Sequence, residues 1–231
     1  MISDFVKLEQ EIVKCRRCPR LVTWREKVAR ERVHRFRNQE YWGRPVPAFG
    51  SPDAALIVIG LAPAAHGGNR TGRIFTGDRS GDWLYEALHG FGFANQPTSV
   101  CMDDGLAVRD CLITAVLRCA PPNNKPLPAE VNNCMEYLRS ELQLAARKRV
   151  VVALGRIAFE AFLKAWQSAG GCRAHPKPEF RHGGECELHG GIMLISSYHP
   201  SQQNTQTGKL TRPMFHQIFR RVRSILEERL P

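Results

Sequence analysis

The chain has 231 residues, of which 43% are hydrophobic and 24% are charged. This composition is typical of a globular protein, and the length suits one hydrophobic core, so we expect a single domain over residues 1–231. The apolar runs are strand-sized and too short to cross a bilayer, which argues against a membrane protein. The N-terminal segment lacks the apolar core of a signal peptide, so we expect a cytoplasmic protein.

The charge balance is strongly basic. Lysine and arginine number 33 against 22 aspartates and glutamates, a formal net charge of +11. Arginines crowd residues 20–37, and a second group lies near the C-terminus at 220–223. Such a surplus favours a polyanionic partner, with nucleic acid the first candidate, although arginines on solvated helix faces are the simpler alternative.

Strand and helix patterns alternate along the chain. Short, apolar, β-branched runs predict four strands, at 54–60, 112–117, 149–154 and 192–196. Helical spacing predicts helices between and after them, at 80–91, 128–147, 155–166 and 212–229. Alternation of this kind predicts an α/β fold in three α/β/α layers around a central four-stranded parallel sheet.

Unusual residues follow three of these strands. In an open parallel sheet, ligands bind beyond the carboxyl ends of the strands, so these loops are the first place to look for a site. They read GLAPAAHGGNRTGRIFTGD at 60–78, RCAPPNNKP at 118–126 and YHPSQQN at 198–204. None contains the glycine pattern of a phosphate loop or of a dinucleotide-binding turn, which argues against nucleotide binding.

Four cysteines form two distant pairs. Cys15 and Cys18 have the spacing CxxC, and Cys119 and Cys134 follow about a hundred residues later. A reducing cytoplasm disfavours disulfides, so metal ligation is the better interpretation. Four thiolates bind either zinc or an iron–sulfur cluster, and the spacing leaves both open.

The three loop motifs and the cysteine spacing together resemble the uracil-DNA glycosylase superfamily, and within it family 5, also called type B. The resemblance implies an enzyme that flips a damaged base from double- or single-stranded DNA and hydrolyses its N-glycosidic bond. Uracil is the expected base, with other deaminated bases such as hypoxanthine. No motif places a lysine as a covalent nucleophile, so we expect a monofunctional enzyme that leaves an abasic site.

The resemblance also implies a 4Fe–4S cluster with a structural role, held by Cys15, Cys18, Cys119 and Cys134. We further expect a monomer that associates with the nucleoid. The competing hypothesis is a basic iron–sulfur or zinc protein that binds nucleic acid without cleaving it. A pure binding protein has no need of Phe75, Asp78 and His199 at the ends of strands, which favours the enzyme.

Three residues match catalytic positions of the family: Asp78, His199 and Asn124. A carboxylate at Asp78 would stabilise positive charge on the sugar or orient water, and His199 would stabilise the departing base. Each has a structural alternative, since Asp78 precedes a predicted helix and suits an N-cap, and Asn124 suits a turn. One sequence does not separate Asn124 from Asn123.

The base pocket is expected to contain Gly60, Leu61, Ala62, Phe75, Ala115 and Asn204. Phe75 matches the aromatic residue that stacks on the base, although a core role is the alternative. Related families carry an acid at the position of Leu61 or an asparagine at that of Ala115. Without those polar groups, we expect weaker discrimination among bases.

Two further predictions concern the end of the chain. Residues 201–211 resemble a DNA-inserting loop, with Ser201, Lys209 and Leu210 as DNA contacts and Leu210 as a wedge. A mobile surface loop is the alternative. In addition, two CxxH repeats suggest a second metal site, with Cys172, His175, Cys186 and His189 as its ligands. The alternative is that the spacing is a coincidence in a histidine-rich stretch.

Overall fold

The structure is a computed structural model that describes residues 2–172 and 178–228. Its helices are α1 Ile2–Lys14, α2 Pro19–Glu31, α3 Gly68–Thr71, α4 Arg79–Gly90, α5 Pro128–Leu144, α6 Arg156–Ser168, α7 Gln202–Gln206 and α8 Arg212–Glu228. Its strands are β1 Phe49–Gly50, β2 Leu56–Gly60, β3 Cys111–Ala115, β4 Val150–Leu154, β5 Gly184–Leu188 and β6 Ile192–Ser197. Two short 3₁₀ helices cover His34–Phe36 and Pro122–Asn124.

The sheet has the strand order β1-β3-β2-β4-β6-β5. Its four central strands are parallel and are the four that the sequence predicts. The prediction of a four-stranded sheet is nevertheless too small, because β1 and β5 add antiparallel edges. Strand β1 has only two residues and therefore no periodic pattern, while β5 exposes two glutamates, as edge strands often do.

Two packed layers cover the sheet, so the three-layer α/β/α prediction is confirmed. Every residue of β2, β3 and β4 is buried, as expected of parallel strands covered on both faces. Helices α4 and α8 pack on one face through residues such as Leu84 and Phe219. Helices α5 and α6 pack on the other through residues such as Leu138 and Phe162.

The N-terminal helices pack against the side of this core. Helix α1 buries Leu8 and Ile12 against Tyr137 of α5. Helix α2 begins at Pro19, directly after Cys18, and proline is well suited to the first turn because it needs no amide partner there. The chain thus brings its first thirty residues beside the middle of the sequence.

A buried ion pair joins the end of β3 to α5. Arg118 donates to Glu141 across 2.6 Å, and both side chains are at most 2% exposed. Thr114 donates to the same carboxylate oxygen and accepts from Arg118, each at 2.6 Å. The segment that leads into Cys119 is therefore fixed, because removing one partner of such a pair costs about 3–5 kcal/mol. Within the described ranges, no helix combines the length and apolarity needed to cross a membrane.

Candidate active site

Asp78 ends the long loop after β2 and caps helix α4. Its Oδ1 accepts from the amide of Gly81 at 3.0 Å, so the N-cap interpretation is confirmed. The other oxygen faces Gly67, where an added β-carbon would lie 2.1 Å from Oδ2. Burial raises the pKa of Asp78, while hydrogen bonds from the first turn of the helix and the charge of Arg70 oppose that rise. The result is a partly buried carboxylate held in one orientation.

Phe75 lies three residues before Asp78 and adopts a left-handed backbone, with φ of 52°. Phe75 is 5% exposed, and the far end of its ring lies against Gly60, where a β-carbon would meet the ring at 2.6 Å. The ring also stacks on His199, with centroids 5.9 Å apart and planes at 28°. The structure therefore brings together Gly60, Phe75 and His199 from two strand ends.

A buried network holds the loop of Phe75 and Asp78. Arg73 donates to the carboxylate of Asp104 at 2.8 Å, to Ser99 at 3.1 Å and to Thr76 at 2.9 Å. Burial by itself would raise the pKa of Asp104, but the hydrogen bonds from Arg73 and from the amides of Val100 and Leu106, with the charge of Arg73, together outweigh it and the pKa is lowered. Such a network stabilises the uncommon backbone at Phe75. Sequence reasoning missed Arg73 and Asp104, although Arg73 lies inside the quoted motif.

His199 follows β6 and is held through its backbone. The side chain of Asn204 donates to the His199 carbonyl at 2.9 Å, so Asn204 positions this loop. Gly155, at the end of β4, lies beside its β-carbon. Burial lowers the pKa of His199 to about 4, which makes the imidazole neutral at pH 7. A neutral imidazole retains one N–H that can donate to a ligand.

Asn124 is not joined to this group. It is exposed and lies with Asn123 in the 3₁₀ turn, where both have left-handed backbones with φ of 56° and 53°. Its side chain makes no hydrogen bond within residues 2–172 and 178–228. The turn interpretation explains this geometry, because asparagine tolerates the left-handed region. A catalytic role for Asn124 stays a prediction.

The remaining pocket residues lie at the carboxyl edge of the sheet. Ala115 is buried at the end of β3, directly opposite Gly60 of β2. Leu61 and Ala62 are partly buried, and their side chains pack on the cysteine side of the loop. The first loop is thus shared between the candidate pocket and the cysteines.

Leu210 corrects one prediction. Its side chain is 0% exposed and belongs to the core beneath the sheet, so the expectation of a DNA-inserting wedge at Leu210 is wrong in this structure. An apolar side chain in a polar segment is more stable folded inward. Ser201 caps α7, and exposed Lys209 lies over the ring of Tyr198 at 4.9 Å. Their roles as DNA contacts stay predictions.

The four cysteines of the two pairs are free thiols on one side of the sheet. Cys18, Cys119 and Cys134 share a small buried cluster, and Cys15 is half-buried beside it, next to Tyr137. Burial raises the pKa of Cys119 to about 12. In the described part of the chain, no three histidine, cysteine, aspartate or glutamate side chains surround a site for a single ion.

A buried arginine points at these sulfurs. Arg25 is 2% exposed and donates to Cys119 Sγ at 2.9 Å, while a carboxylate oxygen of Glu26 lies 3.9 Å away. The amide of Asn133 reaches Cys18 Sγ at 3.5 Å. Donors aimed at sulfur match thiolates better than neutral thiols, because a buried cation needs an anionic partner. The donor set therefore suits an anionic metal–thiolate group.

The structure describes three of the four residues of the second proposed metal site. Cys172 and His189 are exposed and Cys186 is half-buried, while His175 lies outside the described residues. The hypothesis of metal binding by these residues stays a prediction.

The chain is similar to known proteins over nearly its whole length. Residues 47–223 match the model of the Uracil DNA glycosylase superfamily. A type-5 uracil-DNA glycosylase of Thermus thermophilus is 51% identical over 91% of this chain and 93% of its own length. The type-5 enzyme of Mycobacterium tuberculosis is 50% identical over 96% of this chain and 82% of its own length. That of Pyrobaculum aerophilum is 46% identical over 95% of this chain and 91% of its own length.

The matched region contains all three strand-end motifs and both the Phe75–His199 stack and the capped Asp78. The relatives extend the match to the N-terminal CxxC segment, which the superfamily model leaves out. The chain therefore belongs to the uracil-DNA glycosylase superfamily, and within it to the type-5 family.

Proposed function

We propose that this protein is a DNA-repair enzyme that releases uracil from DNA by hydrolysing the N-glycosidic bond and leaves an abasic site. The observation that carries the proposal is that the loops at one edge of the sheet hold a partly buried Asp78 carboxylate and a neutral His199 stacked on Phe75. The similarity to type-5 uracil-DNA glycosylases supports the same reaction.

The three side chains divide the chemistry. A base inside a duplex is out of reach, so the target nucleotide must leave the stack, and the ring of Phe75 provides an apolar surface for it. As the bond breaks, the sugar gains positive charge, which the Asp78 carboxylate stabilises from a partly buried site. The same carboxylate is suited to orient the attacking water.

The departing base takes the electron pair of the broken bond. Neutral His199 has one N–H, which donates a hydrogen bond to the oxygen where this negative charge develops. An imidazolium would bind the anion more strongly, but burial keeps the proton off at neutral pH. Asn124 would join the site only if its exposed turn moved on binding DNA.

The pocket is expected to accept more than uracil. Leu61 and Ala115 offer no side-chain hydrogen bond to the edge of a base, so a deaminated purine such as hypoxanthine loses little relative to uracil. Either single- or double-stranded DNA supplies the substrate. Ser201 and Lys209 contact the strand in this proposal, and the protein acts as a monomer on chromosomal DNA in the cytoplasm.

Cys15, Cys18, Cys119 and Cys134 hold a 4Fe–4S cluster in this proposal. Each thiolate of such a cluster binds a different iron, so its sulfurs lie farther apart than ligands of one ion, consistent with the lack of a single-ion site among the described residues. The cluster would supply a structural brace. Leu61 and Ala62 pack on the cysteine side, so the brace supports the first loop of the pocket.

The direct test is release of uracil from a duplex that contains one uracil, followed by alkaline cleavage at the abasic site. We expect one strand break at the uracil position, and no break without alkali, because no Schiff-base lysine is placed. The competing hypothesis, a protein that binds nucleic acid without cleaving it, predicts binding of the same duplex and no break. Absence of alkali-dependent cleavage by iron-loaded protein would reject the enzyme.

A second prediction concerns His199 and pH. Because its pKa is lowered to about 4, we expect no ionisation of His199 between pH 5.5 and pH 8 in the rate of uracil release. The unfolded chain binds a proton near pH 6.5 and the folded chain does not, so this group lowers stability as the pH falls from about 6.5 toward 4. Histidine NMR titration of wild type and His199→Gln assigns the signal. A His199 midpoint near 6.5 would contradict the burial argument.

A further inference from the structure

A basic cavity of about 600 Å³ lies between the two N-terminal helices and the segment 41–44. It is separate from the Phe75–His199 stack. Its lining contains five cationic side chains, Lys14, Arg16, Arg25, Arg30 and Arg44. Glu26 is the carboxylate among the lining residues. The volume falls in the range of about 300–1,000 Å³ that is usual for ligand sites.

The charges of the cavity are only partly balanced by the protein. Arg16 pairs with Glu26 at 2.6 Å, and Arg25 is directed at Cys119. Lys14, Arg30 and Arg44 form no ion pair within 4 Å in the described part of the chain. Three cations beside one opening repel each other unless an anion lies between them. The cavity is therefore suited to an anionic ligand.

Two aromatic residues complete the lining. Tyr41 is buried, and Trp42 is half-buried with the guanidinium of Arg44 over its ring at 5.4 Å. Cations that alternate with aromatic rings are the usual lining of grooves that bind nucleic-acid strands, since the cations contact phosphates and the rings contact sugars or bases. This composition points to phosphate groups rather than to a simple carboxylate.

The cavity wall is bonded to the loop of the active site. The amide of Trp42 donates to Arg70 at 2.9 Å, and that of Gly43 donates to Asn69 at 3.0 Å. Tyr41 and His66 share a further hydrogen bond of 3.1 Å. These partners lie on either side of Gly67, which packs on Asp78. The cavity therefore adjoins the loop that ends at Asp78.

We infer that this cavity binds backbone phosphates of the DNA strand flanking the nucleotide at the active site. The inference rests on the proposed function for the identity of the DNA, because a free phosphate or nucleotide carries the same chemistry. The bonds to the loop of Asp78 favour the DNA backbone over a free anion.

The test removes the three unpaired cations together, as Lys14→Ala, Arg30→Ala and Arg44→Ala. A matched control removes three exposed cations that do not line the cavity, as Arg109→Ala, Arg147→Ala and Lys164→Ala. Both changes lower the net charge by the same amount. The single variants provide a second series if the triple variant is poorly folded.

The readout is affinity for a duplex with a stable abasic-site analogue, measured over a series of KCl concentrations. Each lost phosphate contact lowers the slope of log affinity against log salt by about 0.9. We expect the triple cavity variant to lower this slope by about 2–3 and to weaken binding by at least about tenfold. Each single variant should lower the slope by about 1. The control triple should change the slope little.

Shortening one flank of the duplex should abolish the difference between wild type and the cavity variant. Equal slopes for the cavity and control triples would overturn the inference. The cavity would instead be assigned to a free anion if the protein binds inorganic phosphate or a deoxynucleoside monophosphate tightly, and if the cavity variant loses that binding while its DNA affinity is unchanged. Because the duplex contains no uracil, these measurements stand whether or not uracil release is observed.

Discussion

Replacing Asp78 with asparagine is expected to slow uracil release by about 10²- to 10⁴-fold. The change removes the charge that stabilises the sugar and keeps an oxygen that accepts from Gly81, because asparagine is as good an N-cap as aspartate. Single-turnover rates with excess enzyme isolate this step from binding. Asp78→Ala should slow uracil release by the same factor and should also lower the free energy of unfolding by about 1 kcal/mol, because the helix cap is lost.

The matched control is Asp82→Asn, which removes an exposed carboxylate from the first turn of the same helix. We expect nearly unchanged rates of uracil release in this variant.

Stability adds a second readout, because burial raises the pKa of Asp78 and the folded state then binds its proton more tightly than the unfolded state. Ionised Asp78 therefore lowers stability as the pH rises through its folded pKa. Asp78→Asn should melt at or above the wild-type temperature at pH 7, and a wild-type rate in this variant would exclude catalysis by Asp78.

Replacing Cys119 with alanine is expected to abolish binding of iron and acid-labile sulfide and to lower the melting temperature sharply. Without a thiolate cluster, Arg25 stays 2% exposed, and Glu26, at 3.9 Å, is its one anionic partner among the residues that the structure describes. An orphaned buried charge costs about 3–5 kcal/mol. Elemental analysis of iron, zinc and sulfide per chain, together with thermal melting, measures both effects.

Cys111 provides the matched control, since it too is a buried cysteine, in β3, but lies in the main core away from Arg25. Cys111→Ala should retain iron. Adding Arg25→Met to Cys119→Ala removes the orphaned cation, so it should restore part of the lost stability without restoring iron. Full iron content in Cys119→Ala would reject this ligand, and zinc without sulfide in the wild type would reject the iron–sulfur cluster.

Periodicity predicted the four central strands and the layers because β2, β3 and β4 are buried along their whole length and β6 along nearly all of it. It missed β1 and β5, whose residues are too few or too polar to carry a pattern. Helix α5 ends at Leu144 rather than at 147, since helix ends depend on local capping and not on the apolar stripe. Edge β1 is thus set by pairing with β3, which lies far away in sequence, and edge β5 by a hairpin with the adjacent β6.

The candidate site was predictable where one motif places residues together. Phe75 and Asp78 share a loop, whereas the stack of Phe75 on His199 depends on tertiary packing, because β4 lies between β2 and β6. Asp104 was not predictable, because its partner Arg73 meets it only through tertiary packing. Leu210 shows the opposite error, since a polar neighbourhood in sequence did not reveal that its side chain is buried.

The packing of α1 on α5 has a consequence for synthesis on the ribosome. Tyr137 is translated 125 positions after Ile12, its partner in the buried contact. At about 5–20 residues per second, that interval lasts about 6–25 s. During this time the apolar stripe of Phe5, Leu8 and Ile12 has no partner in α5, so the nascent chain needs either a transient cover for that stripe or enough charge around it to stay unaggregated.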